Sequence, residues 1–265
     1  MKGSIGAGVF FAMMFAMAAA AQAPATPDPA AQDRLLESMH EYADRYVSNL
    51  PNFICDQITR ESESSKPGHW RKGEAVVSKL SFHDGREERT PETVNGKKVK
   101  PGTAPRPLPL NTEGEFGTLL SKVLGKNSEA YFNWNRWEMV RGKWLAVFDF
   151  GVDKERSSMS LQLSERARAI VGYQGSVYAD PDTGAVWRVS YAAKDIPPEL
   201  QTRQISTMVD YGETAIGAKT YLLPLGATVT LVLWVKDIRN ELEFRDYRKF
   251  EANSSITFDS VDGAK

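Results

Sequence analysis

Few residues in this chain are equipped to do chemistry. His40, His69 and His83 are its three histidines. None belongs to an HExxH or His-x-His arrangement, so none brings a second metal ligand on the same turn or strand. Cys55 is the single cysteine. One thiol cannot form an intrachain disulfide or a cysteine-rich zinc site. Its expected role is a small buried side chain, with an intermolecular or redox thiol as the alternative. Beyond residue 23 there is no Gly-x-Ser-x-Gly elbow, no P-loop and no dinucleotide fingerprint. Glycosidase carboxylate pairs leave no sequence signature, so the 34 acidic residues single out no pair. Asp182-Thr183-Gly184-Ala185 matches the aspartic-protease string, but such an aspartate follows an apolar strand and meets a second one in a buried dyad. Here Asp180-Pro181 precede it and no second D-[TS]-G follows. A turn is the expected reading. The sequence therefore names no catalytic residue, no metal ligand and no cofactor.

Aromatic side chains are the other candidate functional groups. Tyr131, Phe132, Trp134, Trp137, Trp144, Phe148 and Phe150 fall within two neighbouring strand-like stretches. Strict alternation turns Phe132 and Trp134 opposite to Tyr131 and Trp137. Either both faces are covered, or one face lines an apolar ligand groove. The groove reading nominates Phe132, Trp134, Trp144, Phe148, Phe150 and Trp187.

The elements that would position these residues are mostly strands. Ala31–Asn49 predicts an amphipathic helix, with Leu35, Leu36, Met39, Tyr42, Ala43, Tyr46 and Val47 on one stripe and Pro51 as its stop. Strands are expected at 53–60, 75–82 and 86–94, with turns at Asp84-Gly85 and Asn95-Gly96. Lys100–Leu110 holds four prolines and reads as a surface loop. Glu113–Leu124 predicts a short helix ending at Gly125. Three strands at 131–140, 144–152 and 157–163 read as a meander. A hairpin pairs 170–179 with 185–194. Strands at 203–212, 219–223, 227–235 and 239–250 complete the set, with a bulge expected near Arg245-Asp246.

The first residues form an export signal: Lys2, a short apolar core over Val9–Ala18, and small side chains through Ala23. Cleavage fits best after Ala21. No later segment has the roughly 20 apolar residues a membrane span needs. Removing Lys2 leaves 32 basic against 34 acidic residues, a net charge of −2. That balance argues against a nucleic-acid binder. The domain plan is a signal peptide at 1–23, a disordered leader at 24–30, one domain at 31–258 and a disordered tail at 259–265. Its fold class is α+β: a large curved antiparallel sheet, a half-barrel, with the N-terminal helix and the short mid-chain helix on one face.

That order of elements, together with Val177–Pro197 and Val209–Pro224 as strand–turn–strand units ending in proline, resembles the periplasmic lipoprotein-carrier superfamily (LolA/LolB/RseB-like). The chain is also similar to uncharacterised secreted bacterial proteins in Tyr46–Arg60 and Phe244–Phe250. The carrier resemblance implies a half-barrel that shelters acyl chains or docks a partner peptide. It transfers no individual ligand-contacting residue. The leading expectation is a non-enzymatic protein, periplasmic or secreted, that binds a lipid, an acyl chain or an envelope protein in a curved-sheet groove. An interaction or sensor module without a small ligand, and a secreted hydrolase, are the alternatives.

Overall fold

The computed structural model describes residues 22–66, 68–100, 116–162 and 168–250. The expected signal core, most of the proline-rich loop, the start of the mid-chain helix and the C-terminal tail lie outside them.

Helix α1 spans Pro29–Asn49. Asp28 caps it, its carboxylate accepting from the Ala31 N–H at 2.8 Å, and Pro29 occupies the first turn, where its missing N–H costs nothing. The expected leader is thus shorter by residues 29 and 30, which are helical. Upstream, the Ala25 carbonyl accepts a 2.8 Å hydrogen bond from the Trp137 indole. The predicted stripe is the packed one: Met39, Ala43 and Tyr46 are buried, and Leu35, Leu36, Tyr42 and Val47 pack around them. Helix α2 covers Thr118–Leu124, shorter than expected because Gly117, at φ 136°, starts it. His40 Nδ1 lies 2.6 Å from the Leu124 carbonyl and ties the two helices together.

The strands are β1 (Phe53–Ser64), β2 (Arg71–His83), β3 (Arg86–Val94), β4 (Lys97–Lys98), β5 (Tyr131–Val140) and β6 (Lys143–Val152). They continue as β7 (Ser160–Gln162), β8 (Arg168–Ile170), β9 (Gly172–Ala179), β10 (Val186–Lys194), β11 (Thr202–Ile216), β12 (Lys219–Leu233) and β13 (Asp237–Lys249). Eleven form one antiparallel sheet in the order β4-β3-β2-β1-β13-β12-β11-β10-β9-β6-β5, curved and not closed. The fold class is the expected one, α+β with both helices on one face.

Three strand expectations are corrected. The third meander strand leaves the sheet: among the described residues β7 pairs only with β8, and β9 takes the place beside β6. Residues 219–233 form one strand where two were expected over 219–223 and 227–235, because Pro224 sits beside a bulge between Asp210↔Gly226 and Tyr211↔Pro224, where a missing N–H breaks no ladder bond. The meander's aromatics do not alternate strictly, since a register shift between Trp134 and Arg136 turns Trp137 onto the same face as Trp134. The anticipated bulge near Arg245-Asp246 is present: Ile54 pairs with Arg248 and Asp56 with Arg245, and Asp246 has φ 57°. Each bulge adds local twist and bends the sheet.

The core lies between the helices and one sheet face. Phe116, Leu120, Val123 and Leu124 press on Phe53, Phe82, Phe148, Phe150, Val177, Tyr211, Leu223 and Phe244, all buried. Phe116 alone has ring neighbours at 5.3 Å (Phe53), 5.4 Å (Phe244) and 6.2 Å (Phe82). Tyr46 donates from its phenol to the Leu222 carbonyl at 2.9 Å, and burial raises its pKa well above the ordinary value. Cys55 is fully buried there, and burial, seconded by the Asp56 charge, pushes its thiol up to about 12.

Candidate functional site

Four of the six aromatic candidates meet on the helix-covered face. Phe148 and Phe150 are each 3% exposed. Phe132 stands 6.0 Å from Phe150 and 5.5 Å from the His40 ring, and Trp134 stands 5.4 Å from Phe148 and 5.1 Å from Trp137. This is an interlocked ring cluster packed by the protein's own helices. Trp144, opposite Met139 on β5, is half-buried; its buried indole N–H has no hydrogen-bond partner among the described residues. Trp187 is elsewhere. A register shift between Val186 and Arg188 turns it to the opposite face, against Val140, Leu145, Val147 and Tyr178. There the Arg141 guanidinium and the Lys143 ammonium lie over its ring, 5.3 and 5.0 Å from the centroid.

The face that carries neither helix holds a groove of about 670 Å³. Strand register explains it. One row of side chains crosses six strands: Asn133, Asp149, Ser176, Ser190, Met208 and Thr228. The neighbouring row is Tyr131, Gly151, Gln174, Ala192, Ser206 and Thr230. At about 4.8 Å per strand, each row runs for roughly 24 Å. Most of these side chains are small, so the floor is low. Gly151 is needed for this, because a Cβ there would meet the Tyr131 phenol oxygen at 2.3 Å. Tyr131, 49% exposed, closes the β5 end of the floor.

A third row forms a wall. Arg136 and Arg188 flank the Tyr178 ring at 6.0 and 5.5 Å, and Arg188 Nε donates to Asp210 at 2.7 Å. Arg136 is also bound by Glu138. These cations are occupied with carboxylates and a ring. Within the floor the one charged group is Asp149, which accepts from Asn135 Nδ2 at 2.7 Å and from the Ser176 hydroxyl at 2.6 Å. The trough offers neutral donors and acceptors beside apolar surface from Tyr131, Phe150, Tyr191, Ala192 and Met208, and no cation is among its lining residues.

The Asp180–Gly184 segment is a turn, as its composition implied. The Asp180 carboxylate accepts from the N–H groups of Asp182 (2.9 Å) and Thr183 (3.2 Å) and pairs with Lys143. Burial alone would raise its pKa; Lys143 and the turn amides outweigh that and hold it below the ordinary range. Gly184 adopts φ 68° and lies against α1, where a Cβ would meet the Ser38 carbonyl oxygen at 2.4 Å. The histidines stay apart. His40 clasps α2, His69 is exposed in the β1–β2 connection, and His83 ends β2 beside Glu88. Among the described residues no three His, Cys, Asp or Glu side chains group as a metal site, and no helix is long and apolar enough to cross a membrane.

Sequence reasoning missed the trough. Its residues sit on the off-core parity of each strand and are small and polar, a composition that also describes any solvated sheet face. The one available cue was the run of Ser and Thr at matching offsets in consecutive strands.

No protein-family model matches the chain, and no curated protein does. Among solved structures it is similar to a LolA superfamily protein from Nitrosomonas europaea, with 8% identity over 82% of this chain and 94% of that one, TM-score 0.34. A domain described as an outer membrane lipoprotein-sorting protein, from Vibrio parahaemolyticus, shares 11% identity over 85% and 95% of the two chains, TM-score 0.43. A DUF1329 family protein from Desulfovibrio piger shares 9% identity over 83% and 95%, TM-score 0.40.

Proposed function

We propose that this protein is a non-enzymatic binding module of the cell envelope, working outside the cytoplasm, and that the trough on the helix-free face is its ligand site. The observation that carries this is the contrast between the two faces. The helix-covered face is filled, with Phe116, Leu120, Val123 and Leu124 each no more than 1% exposed. The opposite face holds the 670 Å³ trough, floored by hydroxyls and amides. An acyl chain would leave the hydroxyls and amides of the floor without partners, a cost that offsets what its apolar contacts gain. A phosphate would meet Asp149 and no unpaired cation. A neutral polyhydroxylated chain fits: its hydroxyls both donate and accept, as Ser190, Ser206, Thr228 and Thr230 do, and Tyr131 offers a ring face for a sugar's C–H surface. The ligand class is therefore a neutral oligosaccharide, free or as the head of a larger envelope molecule.

The test is NMR titration of the labelled protein with neutral oligosaccharides of two to four units, alongside a fluorescent fatty acid. Saturable shifts confined to trough residues, abolished in Ser190→Arg, are expected. Tight fatty-acid uptake with no saccharide response would overturn the reading. It would favour a second one, which rests on Trp134 and Trp137: these rings are half-buried at the rim of the core, under the Ala25 carbonyl. An acyl chain displacing residues 22–28 would occupy that rim.

A further inference from the structure

The two most exposed large apolar side chains among the described residues are neighbours. Trp234 is 72% exposed and Val235 80%. They form the apex of the β12–β13 hairpin, closed by the Leu233 N–H donating to the Lys236 carbonyl at 2.9 Å. Hairpin apices ordinarily carry Gly, Asn or Asp, which suit the turn backbone and stay hydrated. Neither Trp nor Val serves that purpose, and neither is covered by another part of the described chain. Their presence at a protruding tip calls for an apolar surrounding.

Charge surrounds the pair in a particular way. The Arg203 guanidinium lies 5.7 Å from the Trp234 ring centre. A second indole, Trp70, belongs to the same end of the sheet, since Glu63 pairs with Ile238 in register, and Arg239 lies 3.9 Å over its ring. Lys236 and Arg71 approach Glu63 at 2.5 and 4.0 Å. Arg71, Arg203, Lys236 and Arg239 thus stand against Glu63 and Asp237, leaving the tip cationic.

We infer that this end of the sheet docks on an anionic phospholipid surface, with Trp234 and Val235 entering the interfacial layer. Indoles favour that layer because they present an apolar body and one N–H donor. Basic side chains around them are drawn to anionic headgroups. The contact is shallow and reversible: two apolar side chains and a net charge of two fall well short of a membrane anchor. This inference does not rest on the saccharide reading, because no trough residue takes part.

The experiment is vesicle flotation of the purified full-length mature protein at low ionic strength, with vesicles of phosphatidylglycerol and phosphatidylethanolamine and with pure phosphatidylcholine. Co-flotation with the anionic vesicles is expected, falling several-fold on phosphatidylcholine and in 0.5 M salt. W234S/V235S should lose at least tenfold in partitioning, and Arg203→Glu a smaller factor, with circular dichroism and oligosaccharide titration unchanged in both. A parent protein that stays at the bottom of the gradient, or a W234S/V235S variant that floats equally well, overturns the docking surface. Equal flotation with phosphatidylcholine overturns the charge complement.

Discussion

Phe116→Ala asks whether the helix-covered face is a packed core or a vacant ligand store. Phe116 is 1% exposed and contacts Phe53, Phe82, Phe244 and Tyr247 through ring pairs at 5.3 to 6.4 Å. Truncation forfeits about 2 kcal/mol of apolar transfer. The vacated ring space, on the order of 100 Å³, costs roughly another 2 kcal/mol at about 24 cal/mol per Å³, placing the total within the usual range of about 3–5 kcal/mol. Urea unfolding followed by tryptophan fluorescence measures it. With a slope of about 2–3 kcal/mol per M, the midpoint should fall by about 1.5–2 M at unchanged slope. Phe116→Leu, which keeps most of the volume, should lose less than half of that. The variant should also acquire weak binding of a small apolar probe such as benzene, with none expected in the parent. A loss below about 1 kcal/mol, or a parent protein whose fatty-acid binding disappears in Phe116→Ala, would show that this face is a groove and that its tight packing has been misread.

Three further outcomes follow from individual contacts. Gly184→Ala should cost about 2 kcal/mol or more, because it combines a left-handed backbone at φ 68° with a Cβ driven into the Ser38 carbonyl; thermal melting measures it. Asp180 titrates below its ordinary value of 3.8 when folded. Its contribution to stability is therefore complete above that value and is lost as pH falls through the folded value; Asp180→Asn should remove this part of the acid dependence, and identical acid profiles in parent and variant would refute the Lys143 pairing. Cys55, with its thiol pushed up to about 12 inside the core, should not react with a disulfide reagent at pH 8 until denaturant is added, when one equivalent reacts; prompt native reaction would contradict its burial.

What the sequence discloses divides along physical lines. The α1 stripe was legible because seven apolar residues at helical spacing leave one packing solution. The Asp84-Gly85 and Asn95-Gly96 turns were legible because few residue pairs tolerate φ values of 50°, 74°, 51° and 76°. Strict alternation places Trp137 opposite Trp134, and the groove reading groups Trp187 with the other rings; both fail for one shared reason, since a bulge adds a residue without altering composition and parity arguments fail beyond it. The departure of β7 from the sheet was illegible because strand propensity says nothing about which neighbour a strand will choose. The trough was hidden more deeply. It exists through the alignment of Asn133, Asp149, Ser176, Ser190 and Thr228 across strands far apart in the chain, and no local pattern encodes that register. The clustered rings belong to the packed face, where they fill the core.

The exposed hairpin tip follows directly on the strand that carries one end of the trough. Thr230 in the trough and Trp234 at the apex are four residues apart, at most about 13 Å at about 3.3 Å per residue. The packed core behind them fixes this separation, since β11 and β12 are both pinned by Tyr211, Leu223, Ala227 and Val209 in the core. A protein held at a bilayer by Trp234 and Val235 would therefore keep its trough within a headgroup's reach of that bilayer. Tethering raises the effective concentration of any ligand on the same surface. Free oligosaccharide should then bind the parent and W234S/V235S equally. The same saccharide displayed on anionic vesicles should bind the parent at least tenfold more tightly than the variant. Surface plasmon resonance on captured vesicles, with and without the glycolipid, measures both arms. If the variant loses free saccharide as well, the tip and the trough are one site; if it loses neither, the tip makes no contact with the membrane.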